Sequence, residues 1–185
     1  MKSHILRNAR LTRGDGDWVL VLERTLDHPL EDVFAALTEA EQVPSWAPFT
    51  TDRDLTATGV VGLSHIDMPE AEERQGEVLQ VNAPRLLVLR WGDDILRWEL
   101  SGDGERTVLV LRHRFADRKE APSYAAGWHL CLDGLAGALT GEKMPSMVGH
   151  NAMKHGWREL YEQYAEAFQD TSAVLKDTAN ETREG

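Results

Sequence analysis

Between residues 50 and 115 apolar side chains recur at every second position in short runs, and from about Pro122 they recur at steps of three and four. The first period is that of a strand with one buried face, the second that of a helix. An earlier run, Trp18–Leu26, is rich in β-branched and aromatic residues and predicts a strand after the turn signal Gly14-Asp15-Gly16. Asp27-His28-Pro29 ends it. Asp27 suits a helix N-cap and Pro29 the first helical turn, while Glu31 and Asp32 favour the positive end of that helix. Leu30, Val33, Phe34 and Leu37 share one helical stripe. A second short helix is expected from Glu39 to Val43, stopped by Pro44, with Trp46-Ala47-Pro48 as loop.

The clearest later strands are Gly76–Asn82, Arg85–Trp91, Ile95–Leu100 and Thr107–Phe115. Asp93-Asp94 and Asp103-Gly104 sit where tight turns belong, and links this short imply an antiparallel meander. Tyr124, Trp128, Cys131, Leu132, Leu135, Ala138 and Leu139 then predict a long helix closed by Gly141. Residues 142–153 look irregular. A last helix is expected from Lys154 to Phe168, with Trp157, Leu160, Tyr161, Tyr164 and Phe168 on one stripe. The expected organisation is a polar lead over residues 1–16, one domain over 17–168, and a polar, disordered tail over 169–185.

Composition narrows the partners. Twenty Lys and Arg against 31 Asp and Glu leave a net charge of -11, which argues against nucleic acid or an anionic membrane. With one cysteine, Cys131, no internal disulfide can form, and a reducing, cytoplasmic compartment is expected. No signal peptide or membrane-spanning run is seen. No cofactor is expected. Nor is a metal: His129 and Asp133 lie one helical turn apart, but no third and fourth ligand follow at sensible spacing. Cys131 reads as a small buried apolar group, and Glu70, Glu72 and Glu73 as a solvated loop.

Three segments carry a family resemblance. They are Glu23-Arg24-Thr25-Leu26-Asp27-His28-Pro29 through Thr38 with Trp46; Gly76-Glu77-Val78, Leu96–Leu100 and Thr107–Phe115; and Gly127-Trp128-His129-Leu130-Cys131-Leu132-Asp133-Gly134-Leu135. In this order and spacing they resemble the START-like (SRPBCC) superfamily, which also holds the birch-pollen allergen and polyketide cyclases. The branch they most resemble is named for the activator of the heat-shock-protein-90 ATPase. The resemblance implies an α+β helix-grip fold: a curved antiparallel sheet of about six or seven strands wrapped around a long C-terminal helix, with a short N-terminal helix pair. The helix at 154–168 would be an addition to it.

Strand alternation then says which side chains face the helix. Arg90, Arg97, Glu99, Arg112 and Arg114 mark the outer face, which places Leu87, Leu89, Trp91, Leu96, Trp98, Leu100, Leu109, Leu111, His113 and Phe115 inside. Family analogy suggests a ligand cavity there, and a fully packed core is the alternative. The candidate ligand-binding residues are Trp98, His113, Trp128, Leu89, Leu111, Tyr124 and Leu132. His113 could orient a ligand or move a proton, or be a satisfied core histidine; Trp46 reads as a structural plug.

The expected function is a non-enzymatic carrier or binder of an apolar or aromatic small molecule, with no catalytic residue assigned. A cyclase or dehydratase using His113 and Tyr124 is the second expectation. Modulation of a chaperone ATPase is the third, and the least expected, because that role goes with an additional N-terminal domain not seen in this sequence. A homodimer is left open.

Overall fold

The computed structural model describes residues 8–66, 74–142, 145, 147, 148 and 150–181. Eight strands form one antiparallel sheet: β1 (Ala9–Arg13), β2 (Trp18–Leu26), β3 (Phe49–Thr51), β4 (Gly59–His65), β5 (Arg74–Asn82), β6 (Leu86–Trp91), β7 (Asp94–Gly102) and β8 (Thr107–Phe115). Their order is β1-β2-β8-β7-β6-β5-β4-β3. The meander β3 to β8 folds back so that β8 pairs along all nine residues of β2, from Trp18 opposite Phe115 to Leu26 opposite Thr107. Among the described residues four α-helices accompany the sheet: α1 (Leu30–Thr38), α2 (Ala121–Leu139), α3 (His150–Lys154) and α4 (Trp157–Glu181). α2 packs against β2, α1 and α4.

The architecture is the helix-grip fold that the resemblance implies, with one or two strands more than expected. The polar lead supplies β1, whose Leu11 is buried opposite Leu20. The stretch before Gly76 supplies β3 and β4, where Gly59 and Gly62 interrupt the apolar alternation. The second member of the N-terminal helix pair is a turn followed by a single 3-10 turn, Val43–Ser45, with Pro44 within it. Proline lacks the N–H that a continuing α-helix needs. α1 starts at Leu30 with Pro29 as its cap, not Asp27, whose carboxylate accepts from Arg106 Nε at 2.9 Å. The helix expected at 154–168 starts at Trp157, and Gly156, at φ 84°, separates it from α3, which ends at Lys154. α4 is helical to Glu181, past the polar boundary at Gln169. The acidic residues Glu70, Glu72 and Glu73 lie outside the described residues.

Alternation in β6 to β8 is as read from the arginines. Leu87, Leu89, Leu96, Trp98, Leu100, Leu109, Leu111, His113 and Phe115 are all buried. On the outer face Arg112 and Arg97 donate to Glu99 Oε1 at 2.9 and 3.1 Å. Those hydrogen bonds, Arg112 first, hold the Glu99 carboxyl below its usual range. Trp46 is the plug expected: it is buried and its indole N–H donates to Ala36 O at 2.8 Å, fastening the loop to α1.

Candidate functional site

The centre of the grip is filled. Leu89 and Leu111 from the sheet, Trp98 beside them and Leu132 from α2 belong to one buried core, with the Trp98 ring edge-on to both Trp46 and Trp128. The open space lies at one flank of α2. It is a pocket of about 430 Å³, lined on one side by Ser123, Tyr124, Gly127, Trp128 and Cys131. These five positions form one stripe of α2, at steps of one, three and four residues. The ends of β4 and β6 contribute His65 and Trp91, whose rings lie 5.4 Å apart, and Pro48 comes from the loop before β3. Met147, Val148, Ala152, Met153 and Trp157, the stretch running into α3 and α4, make the opposite wall.

Of the residues singled out in the sequence, Trp128 and Tyr124 are on this wall. Trp98, His113, Leu89, Leu111 and Leu132 are buried behind it. His65, Trp157 and the 147–153 stretch were not singled out as ligand contacts. His65 was within reach of the strand period, since it shares a face with buried Val61 and Leu63 in β4. The 147–153 stretch carries no periodic signal at all.

The pocket's chemistry is uniform. Among the described residues, three tryptophans, one tyrosine and two methionines line it, and no Asp, Glu, Lys or Arg does. Gly127 opens it: a Cβ built there would meet no atom within 4 Å. The Cys131 thiol on its floor is pushed up to about 12 by burial, so it is a thiol and not a nucleophilic thiolate at neutral pH.

Behind the wall a hydrogen-bond chain runs through the core. Trp128 Nε1–H donates to His113 Nδ1 at 2.9 Å, and His113 Nε2 lies 2.7 Å from Asp94 Oδ2. His113 is the satisfied core histidine of the two readings given above. Both of its ring nitrogens are engaged and its side chain is fully buried, so it presents no atom to the pocket.

His129 sits on a different face of α2. It is buried, and its Nδ1 is 2.8 Å from the Tyr164 hydroxyl of α4. Asp133 lies 3.5 Å from its Nε2 and is exposed. Burial holds the His129 pKa below its ordinary 6.5, Arg24 adds to that, and Asp133 opposes it. The folded site therefore prefers the neutral ring. Stability should be fully present above about pH 6.5 and fall as the pH drops below it, because the unfolded chain takes up a proton that the folded site resists. Urea midpoints at about pH 7.5 and 5.5 should differ less in His129→Gln than in the wild type. An equal difference would remove His129 as a source of the acid sensitivity.

Among the described residues no three His, Cys, Asp or Glu side chains gather as a metal site, and no helix is long and apolar enough to cross a membrane.

The model of one protein family matches residues 27–140, which run from the turn before α1 to the end of α2. The chain belongs to the family described as Activator of Hsp90 ATPase homolog 1-like protein. This family assignment places it in the START-like superfamily. No curated protein matches the sequence. Among solved structures, a conserved protein of unknown function from Enterococcus faecalis, EF2215, is similar over 90% of this chain and 95% of its own, with TM-score 0.70 and 16% identity. CalU16 from Micromonospora echinospora is similar over 86% of this chain and 93% of its own, with TM-score 0.61 and 20% identity. DynU16, from the dynemicin biosynthetic locus, is similar over 70% of this chain and 49% of its own, with TM-score 0.59 and 22% identity. At these identities the structures establish the fold. Fold and family together support a ligand-binding member of the superfamily.

Proposed function

We propose that this protein binds an apolar, ring-bearing small molecule in the pocket at the flank of α2, and that it carries or sequesters that molecule without transforming it. The observation behind this is the wall itself: about 430 Å³ lined by Trp91, Tyr124, Trp128 and Trp157, with no ionic side chain among the described residues. Such a wall rewards apolar area and aromatic faces. A ligand burying about 200 Å² of apolar surface gains on the order of 5 kcal/mol before the cost of association. Ser123 and His65 supply the few polar atoms that orient a ligand in such sites. One buried cysteine and a net charge of -11 suit a protein working in the cytoplasm.

N-phenyl-1-naphthylamine, neutral and aromatic, is a suitable probe. At one hundred times its Kd it should raise the melting temperature by about 5–10 °C. A broad panel of aromatic and lipidic compounds, this probe included, that leaves the melting temperature unchanged would overturn the proposal.

A second reading is an enzyme of the cyclase or dehydratase kind, favoured by the biosynthetic locus of DynU16. His65 and Tyr124 would then be the acid–base groups on the wall, since His113 is turned away from it. Turnover of an aromatic polyketide that disappears in His65→Ala would favour the enzyme over the carrier.

A further inference from the structure

We infer that Asp94 and His113 are positioning residues that hold the Trp128 indole in place as a wall of the pocket and so set how tightly the pocket binds. The inference rests on the binding role proposed above and adds two residues that never touch the ligand.

The argument starts with donors and acceptors. An indole N–H can only donate and a carboxylate can only accept. The imidazole between them must therefore accept at Nδ1 and donate at Nε2. One tautomer satisfies both neighbours, and the chain acquires a direction: Trp128 to His113 at 2.9 Å, then His113 to Asp94 at 2.7 Å. Without the carboxylate, only the indole N–H still favours a bare Nδ1, and the ring carries its proton there more readily. That proton would face the indole N–H, two donors head to head, and the indole would have to move.

The fold explains why Asp94 can reach. Gly92, at φ 62°, and Asp93 form the tight turn of the β6–β7 hairpin, which sets Asp94 opposite Trp91. Leu96 lies opposite His113, so Asp94 is the diagonal neighbour of His113 on the adjoining strand. The His113 side chain is fully buried, whereas Asp94 remains 20% exposed at the turn. The chain of bonds thus runs from the β6–β7 hairpin turn to the pocket. His113 also backs a second wall residue, with its ring centroid 4.4 Å from that of Tyr124. Trp91, opposite Asp94, is itself on the wall. A single hairpin turn therefore places three of the rings that a ligand meets.

Full-length protein labelled with ¹⁵N tests this through the His113 tautomer and the Trp128 indole proton, both read by NMR without ligand. The wild type should show the Nε2–H tautomer. A wild-type Nδ1–H tautomer would overturn the inference before any variant is made. Asp94→Ala, at a partly exposed turn position, should weaken the tautomer preference and shift the Trp128 indole proton upfield. The same change should weaken N-phenyl-1-naphthylamine by about tenfold, the worth of one lost charge-assisted hydrogen bond. Asp94→Asn, whose amide oxygen still accepts, should restore the tautomer and most of the affinity. Asp94→Ala with an unmoved indole proton, or with affinity within about twofold of wild type, would overturn the inference. Should the wild type bind neither this probe nor the wider panel, the binding role falls, while the tautomer and the indole shift still judge the positioning.

Discussion

Gly127→Leu should weaken N-phenyl-1-naphthylamine at least about tenfold while leaving the protein folded and no less stable. Gly127 sits mid-way along α2 on the pocket wall, and the direction a Cβ would take is empty to 4 Å. A leucine there projects into the ligand's space instead of into the core. In the folded protein it also removes a helix-interior glycine, which costs roughly 1 kcal/mol relative to a good helix former. The melting temperature should stay level or rise by a few degrees. Occlusion and unfolding are thus separated, since loss of binding with a lower melting temperature would point to damage instead. Unchanged affinity in a stable Gly127→Leu protein would mean that the probe binds elsewhere.

Trp98→Ala is the substitution expected to cost most in stability, about 3–5 kcal/mol. Trp98 is among the largest fully buried side chains, wedged edge-on between Trp46 and Trp128 with ring centroids 6.4 and 6.1 Å away. Removing it leaves a cavity that neighbours on a sheet and a helix cannot close. For a chain of this length the melting temperature should drop by roughly 6–20 °C. Trp98→Phe should cost far less. The Trp98 Nε1–H has no hydrogen-bond partner among the described residues. A buried orphan donor carries a penalty of about 1–3 kcal/mol, which phenylalanine removes while keeping most of the ring. Thermal melts of the two variants decide it. Similar losses for Phe and Ala would show that the indole N–H is satisfied by a partner such as a buried water.

These contrasts track what the sequence could and could not say. The inner face of β6 to β8 was legible because arginines stand at Arg90, Arg97, Arg112 and Arg114, and a strand with one charged face has its other face decided. The long helix α2 was legible for the same reason, since its apolar period is unbroken up to Gly141, which takes φ 78°. β4 was harder, because glycines at 59 and 62 interrupt its alternation, and with it went His65. The α3 side of the pocket had no local signal: Met147, Val148 and Ala152 come together only once the chain has turned back along α2.

His113 shows a different limit. Its burial followed from alternation, but its role did not. The deciding partner, Asp94, reads in sequence as a turn residue, and only the hairpin register reveals that it is the diagonal neighbour of His113. The third group, the Trp128 N–H, arrives from another element altogether. A lone histidine on an apolar face reads as a ligand contact, a base or a satisfied core residue, and sequence alone leaves the three open. Two engaged nitrogens make it a support for the wall instead.

Six tryptophans provide the most direct test of the pocket, because they divide by position. Trp91, Trp128 and Trp157 line it, whereas Trp18 lies on β2 between Arg13 and Arg118 and Trp46 is buried against α1. Titrating ¹⁵N-labelled protein with N-phenyl-1-naphthylamine and following the six indole N–H resonances reads each site separately. Saturable shifts at Trp91, Trp128 and Trp157, with Trp18 and Trp46 unmoved, are the predicted result. Six resonances that do not move, or saturable shifts confined to Trp18 or Trp46, would contradict the pocket as the ligand site.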